Sequence, residues 1–205
     1  MIGYASRTGT RRNLAALRAA GWRLLVTPAC LRTEGFPYAL DNGAWSAAQR
    51  GTPWDPDAFL RALMQLGMGA DFVVIPDVVG DGRASLRRSH SWLPILHGRT
   101  RRLLFPTQDG MERDPDAVAP ILGASVGLFV GGTTAWKLAT LGFWGQMAAR
   151  TGCYLHVGRV NTQRRIARCH AAGADSFDGT SITRYGRTLA ELEPARRQGG
   201  LRLYA

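Results

Sequence analysis

Eight short apolar runs alternate with amphipathic segments along 205 residues, and they predict one α/β domain closed into an eight-stranded (β/α)8, or TIM, barrel. Alternation of this kind calls for parallel strands joined by crossover helices, and eight strands close naturally on themselves. The competing architecture is a doubly wound open sheet. Its phosphate fingerprint, G-x-G-x-x-G, is missing from the first strand-to-helix turn, Ser6-Arg7-Thr8-Gly9-Thr10. The length suits one domain with a sizeable core and is too short for two ordinary ones, so residues 1–205 are read as a single unit.

The runs are residues 2–5, 23–27, 38–40, 72–76, 103–106, 127–130, 154–157 and 176–177. Between the first two, Thr10 is a helix cap, Leu14 and Leu17 supply an apolar face, and Gly21 suits the left-handed turn that ends it. Residues 28–37 read as loop more than helix. Asp55 with Pro56 at the first helical position opens a helix whose face is Phe59, Leu60, Leu63 and Leu66, ending at Gly67. Asp114 and Pro115 repeat that signature before Val118, Ile121 and Leu122. Asn161 is the expected cap of a helix over 162–172, closed by Gly173. The last strand is very short.

The formal charge is +11, which favours an anionic partner such as nucleic acid. Nearly all of the positive charge is arginine, and Lys137 is the one lysine; coding bias produces the same skew. No run of eighteen apolar residues exists to span a membrane, and the first residues lack a basic segment followed by a longer apolar one. A cytoplasmic chain without membrane partners is expected. Cys30, Cys153 and Cys169 are widely spaced and form no Cys-x-x-Cys pair, so free thiols are favoured over metal ligands.

The segment Phe177-Asp178-Gly179-Thr180-Ser181-Ile182-Thr183-Arg184-Tyr185-Gly186-Arg187 places one carboxylate at a strand end and two arginines just beyond it. It resembles the segment carrying the catalytic aspartate in the tRNA-guanine transglycosylases, which exchange guanine for a 7-deazaguanine base. Five more segments follow that family's order. Asp41-Asn42-Gly43-Ala44-Trp45 is similar to its Asp-Ser-Gly-Gly-aromatic motif, and Ile75-Pro76-Asp77 to its aspartate at a strand end. Gln108-Asp109-Gly110 resembles its Gln-Gly-Gly, Gly131-Gly132 its Gly-Gly-Leu-Ala loop, and Tyr154-Leu155-His156-Val157-Gly158 its Tyr-Leu-Met-Gly strand.

The resemblance implies a TIM barrel in which Asp178 is the nucleophile, forming a covalent nucleotide intermediate, and Asp41 the general acid/base. It implies base recognition by Asn42, Trp45, Asp77, Gln108, Gly131 and Gly132. Trp45 would stack on the base, Asp77 would accept from the N1–H and N2–H edge of guanine, and Gln108 with the Gly132 amide would donate to O6. Arg184 and Arg187 would contact phosphate. In the family's bacterial tRNA enzymes a glutamate follows the Gly-Gly loop; Lys137 stands at that spacing here, beside the 7-substituent or on a phosphate.

The tRNA enzymes also carry a zinc subdomain beyond the catalytic aspartate, built from a Cys-x-Cys-x-x-Cys cluster and a histidine. The residues after Asp178 contain neither Cys nor His. In this the chain resembles more closely a compact branch of the same superfamily, associated with phages and bacterial DNA-modification clusters, whose members insert 7-deazaguanines into DNA. The expected partners are DNA, or alternatively tRNA, and a base such as 7-cyano-7-deazaguanine, with no cofactor and no metal. Two alternatives stay open on the residues themselves: Asp41-Asn42-Gly43 is also an Asx-turn sequence, and His156 is read as a hydrogen-bonded core residue in preference to one pointing into the barrel. A noncatalytic nucleic-acid-binding barrel is the reading from another class. The arginine pairs at 11–12, 87–88, 101–102 and 196–197 lie on or beside predicted helices, where charge usually marks a solvated face, and are not assigned to the site.

Overall fold

Each apolar run becomes a strand in the computed structural model, which describes residues 1–6, 10–184 and 187–198. The strands are β1 (Ile2–Ser6), β2 (Arg23–Val26), β3 (Tyr38–Leu40), β4 (Val73–Val74), β5 (Leu103–Thr107), β6 (Val126–Val130), β7 (Leu155–Val157) and β8 (Ser176–Gly179). All neighbours pair in parallel, in chain order, and β8 returns to β1 with Tyr4 opposite Asp178. The barrel is closed, as the alternation predicts.

Side chains alternate across a strand with a period of two, so one set fills the barrel and the other meets the helices. Tyr4, Ala39, Phe72, Val74 and Leu104 form the inner cluster, with Leu25, Phe129 and Tyr154 packed against it. Ala5, Leu24, Leu40, Val73, Phe105, Leu128 and Phe177 belong to the larger outer core. The inward parity of β8 and β7 carries Asp178 and His156 into the interior; that of β3 and β5 leads to Asp41 and Gln108 just past the strand ends.

The helices are α1 (Arg11–Ala19), α2 (Ala44–Arg50), α3 (Pro56–Leu66), α4 (Gly82–Leu96), α5 (Thr134–Thr151), α6 (Gln163–Ala171), α7 (Ser181–Arg184) and α8 (Arg187–Arg197). Thr10 caps α1 by accepting from the Asn13 N–H, and Asp55 caps α3 by accepting from Ala58 N–H at 2.9 Å. No helix joins β2 to β3; Phe36 from that loop fills the outer core, with the Arg18 guanidinium 4.4 Å above its ring. Among the described residues, no helix is long and apolar enough to cross a membrane.

Three local expectations are corrected. The helix opening at Asp114 and Pro115 does not form; the β5–β6 connection is three short 3-10 turns, Met111–Arg113, Pro115–Ala117 and Ala119–Ile121. Pro120 is the physical reason, because it lacks an N–H and its ring clashes with the carbonyl four residues back. The cap of α6 is Thr162, whose Oγ1 accepts from Arg165 N–H at 3.3 Å. Asn161 instead ties the β7 loop to the β8 loop, its Oδ1 accepting from Ser181 N–H at 3.0 Å. Finally, β8 runs two residues past Phe177, so Asp178 sits within the strand, paired with β1 on one side and with its carbonyl accepting from the Val160 N–H of the loop after β7 on the other.

Candidate active site

The C-terminal ends of the strands open into a cavity of about 560 Å³, within the range of small-molecule sites. Asp41, Asn42, Trp45, Asp77, Gln108, Gly131, Gly132 and Asp178 all line it. Its apolar floor is Leu25, Val74 and Phe129, the top of the inner barrel packing. Residues from Asp41 to Asp178 thus meet because each follows, or ends, a parallel strand pointing the same way.

Asp178 is held by two donors, one on each oxygen. His156 Nε2 lies 3.0 Å from Oδ1, and the Arg159 backbone N–H donates to Oδ2 at 3.2 Å. The other ring nitrogen of His156 is 2.7 Å from Ser176 Oγ. His156 is fully buried, its ring stacked on Phe129 at 4.9 Å and edged by Tyr4 and Phe72. Burial pulls its pKa below the usual value, and its bond to Asp178 offsets only part of that. Burial thus favours the neutral ring, and a neutral ring facing a carboxylate carries its proton on Nε2. Ser176 then donates to Nδ1, completing a chain from Ser176 through His156 to Asp178. Glycine at 158 leaves room for this: a Cβ there would meet the Phe129 ring at 2.9 Å and Asp178 Oδ1 at 3.4 Å.

The opposite wall is built around Asp77. Asn42 Nδ2 donates to Asp77 Oδ1 at 2.9 Å and to the Ile75 carbonyl at 2.8 Å, while Gln108 Nε2 donates to Asp77 Oδ2 at 2.5 Å. Backbone donors fix which way both carboxamides face. Ala44 N–H meets Asn42 Oδ1 at 2.8 Å, and the Gly80 and Gly132 N–H groups both meet Gln108 Oε1 at 3.0 Å. The nitrogens are left to point at Asp77. Burial raises the Asp77 pKa, and the two carboxamide bonds act against that rise. Gly132 has φ +66°, and a Cβ there would overlap the Trp136 ring at 2.3 Å, so only glycine fits.

Between the two walls stands Asp41. It makes the Asx turn its sequence announces, with Oδ2 accepting from Gly43 N–H at 3.1 Å, and it faces the cavity as well. Burial pushes its pKa from 3.8 to about 7, with the charges of Asp178 and Asp77 adding to the rise. Trp45 is 40% exposed at the rim, and one face of its indole carries the Arg159 guanidinium at 3.9 Å. Arg159 also donates to the Gly132 carbonyl, so it bridges the loops after β6 and β7.

Lys137 is the sequence-predicted site residue that the fold does not bring to the cavity. Its ammonium lies behind the wall, 4% exposed, donating to the Gly158 carbonyl. The side chains of Arg184 and Arg187 lie outside the described residues. Two site groups were missed. His156 is the buried, hydrogen-bonded residue its sequence favoured, but its partner is Asp178, and its inward strand parity was the available signal. Arg159 lies two residues past the seventh run, the same strand-end position that singled out Asp41 and Gln108. Among the described residues, no group of three or more His, Cys, Asp or Glu side chains is arranged to hold a metal, and Cys30, Cys153 and Cys169 are free thiols. No protein-family model and no curated protein matches the chain.

Proposed function

We propose that this protein exchanges guanine in DNA for a 7-deazaguanine base through a covalent bond to Asp178. The observation that carries this reading is a pair of carboxylates with different surroundings in one cavity that has room for a purine: Asp178 clamped by two donors, and Asp41 pushed to about 7. Titratable groups set apart in this way divide nucleophilic and proton-transfer roles between them.

In the first half-reaction an Asp178 oxygen attacks C1′ while the glycosidic C1′–N9 bond breaks. The electron pair stays on the departing guanine, which takes the proton of Asp41. The result is a glycosyl ester and an Asp41 carboxylate. The incoming base then gives its N9 proton to Asp41, N9 attacks C1′, and the ester C1′–O bond breaks to restore Asp178. Atoms and charge balance with no cofactor. Asp77 accepts from the N1–H and N2–H edge of the base, and its two carboxamide partners hold it from behind. Recognition of O6 by the Gly132 amide requires that N–H to leave Gln108 Oε1, its present acceptor. Stacking of the base on Trp45 likewise requires Arg159 to leave the ring face it covers. A guanidinium released there is well placed for phosphate.

Taking the base out of a duplex costs a few kcal/mol, so single-stranded or opened DNA is the favoured substrate. The test is incubation with labelled 7-cyano-7-deazaguanine and single-stranded DNA, duplex DNA or tRNA, followed by nucleoside analysis. Label in DNA is the expected result. Label in tRNA alone would move the same chemistry to RNA, and guanine release without incorporation would make the protein a base-excising glycosidase.

A further inference from the structure

Among 26 lysines and arginines, this chain has one lysine, and it is buried. Lys137 rises from the first turns of α5 into the seam between α5, β7 and α6, beside a void of about 10 Å³ bordered by Leu138, Leu141, Val157 and Cys169. That void holds no more than about one water. An arginine fork, with five donors to satisfy, does not suit so closed a seam, whereas a compact ammonium does.

The ammonium donates to the carbonyl oxygen of Gly158. That oxygen belongs to the same peptide unit as the Arg159 N–H, which donates to Asp178 Oδ2 at 3.2 Å. A trans peptide is planar, and its C=O and N–H point in opposite directions. One rigid group therefore connects a cation outside the barrel wall to a carboxylate inside it. Arg159 has φ +57°, a left-handed conformation that a residue with a Cβ adopts only when its surroundings impose it. The bond on the far side of the peptide is such an imposition.

We propose that Lys137 is a positioning residue for Asp178: its ammonium pins and polarises the Gly158–Arg159 peptide, so that the N–H at the other end stays aimed at the carboxylate. Hydrogen bonds in series strengthen one another, so the cation makes that N–H a better donor. With His156 on one oxygen and this N–H on the other, the carboxylate plane is fixed toward the cavity. What this does for catalysis rests on the transglycosylase reading above; the peptide coupling itself does not.

The single lysine makes the coupling measurable. With selective 15N labelling, the Lys137 Nζ signal stands alone and can be followed together with the Arg159 amide. Burial, and then the Arg159 charge, lower the Lys137 pKa to about 8, with Asp178 opposing and Arg165 adding; Cys169, the thiol facing it, is pushed up to about 12. In an Asp41→Asn background, which removes the titration nearest in pH, the Arg159 amide proton should shift with the same midpoint as Nζ. In Lys137→Met it should move upfield and lose exchange protection, while kcat for base exchange falls roughly tenfold or more with KM for the free base unchanged. An Arg159 amide indifferent to both the titration and the substitution would overturn the proposal, and so would a shifted amide with normal kcat. If the wild type exchanges no base on any nucleic acid, the functional reading fails while the amide measurements still judge the coupling.

Discussion

The two walls of the cavity each present a carboxylate held by two donors, yet they are built from different materials. Asp77 is held by the side-chain amides of Asn42 and Gln108, and these are locked in turn by backbone N–H groups, Ala44 of its own loop for Asn42 and Gly80 and Gly132 of the two neighbouring loops for Gln108. Asp178 is held by a buried imidazole and by one backbone N–H whose peptide is bonded on its far side to Lys137. The first wall is closed on itself and suits the reading of a fixed hydrogen-bond edge. The second contains an imidazole and is bonded through one peptide to an ammonium behind the wall, an arrangement that suits the reacting role proposed for it. Asp41, which feels the charge of both, is the group whose proton both walls influence.

The sharpest way to break this division is Asp178→Asn. It should lower exchange by about 10⁴-fold or more and abolish any denaturant-stable adduct with nucleic acid, while binding of the free base persists. Single-turnover kinetics with denaturing gels measure this, and near-normal exchange would remove the reacting role from that wall.

Asp77→Asn tests the reading wall. The new amide keeps one acceptor where two donors converge, and turns its own NH₂ toward the other. Loss of a charged acceptor is worth about 2 kcal/mol, or roughly 30-fold in Kd for the free base by calorimetry. A larger effect on kcat than on binding would merge the two walls into one.

The pH dependence of stability separates Asp41 from His156 by sign. Asp41 protonates at about 7 in the folded chain against an ordinary 3.8, so the folded state holds the extra proton between these values. Its contribution is therefore full at low pH and is lost as pH rises from about 4 to about 7. His156, pulled below 6.5, behaves oppositely: its contribution is full above 6.5 and is lost as pH falls. Melting temperatures of Asp41→Asn should decline less than those of the wild type between pH 4 and 7, by roughly a few degrees. Identical slopes would place the Asp41 carboxyl in contact with bulk water.

The smallest effect is expected at the rim. Arg159→Ala removes a cation–π contact worth about 0.5–1 kcal/mol and a hydrogen bond to the Gly132 carbonyl worth about as much, so the melting temperature should drop by a few degrees at most. Trp45 fluorescence should become more open to acrylamide quenching. Unchanged quenching would mean that Arg159 does not cover the ring in solution.

The barrel was legible because its signals are local and repeated. Each strand is a short apolar run, Thr10 and Asp55 announce their helices, and position just past a strand end is enough to gather Asp41, Gln108 and Gly131 on one face. The helix at Asp114 misled because its opening signature is strong and Pro120, which forbids it, comes a turn later. The cap at 161–162 misled because Asn161 and Thr162 are both good caps, and the loop after β8 claimed the first of them.

The sequence by itself determined the order of the strands and the closed topology, since these follow from periodicity of two and 3.6, while the carboxylates of the cavity were singled out by a family resemblance and by their places at strand ends. Only the tertiary structure decided what holds those carboxylates. His156 meets Asp178 across two strands, Arg159 covers Trp45 from the far side of the chain, and Lys137 turns behind the wall instead of into the cavity. Each is a contact between residues remote in sequence, set by strand register and by which way one peptide faces, and no local pattern encodes either.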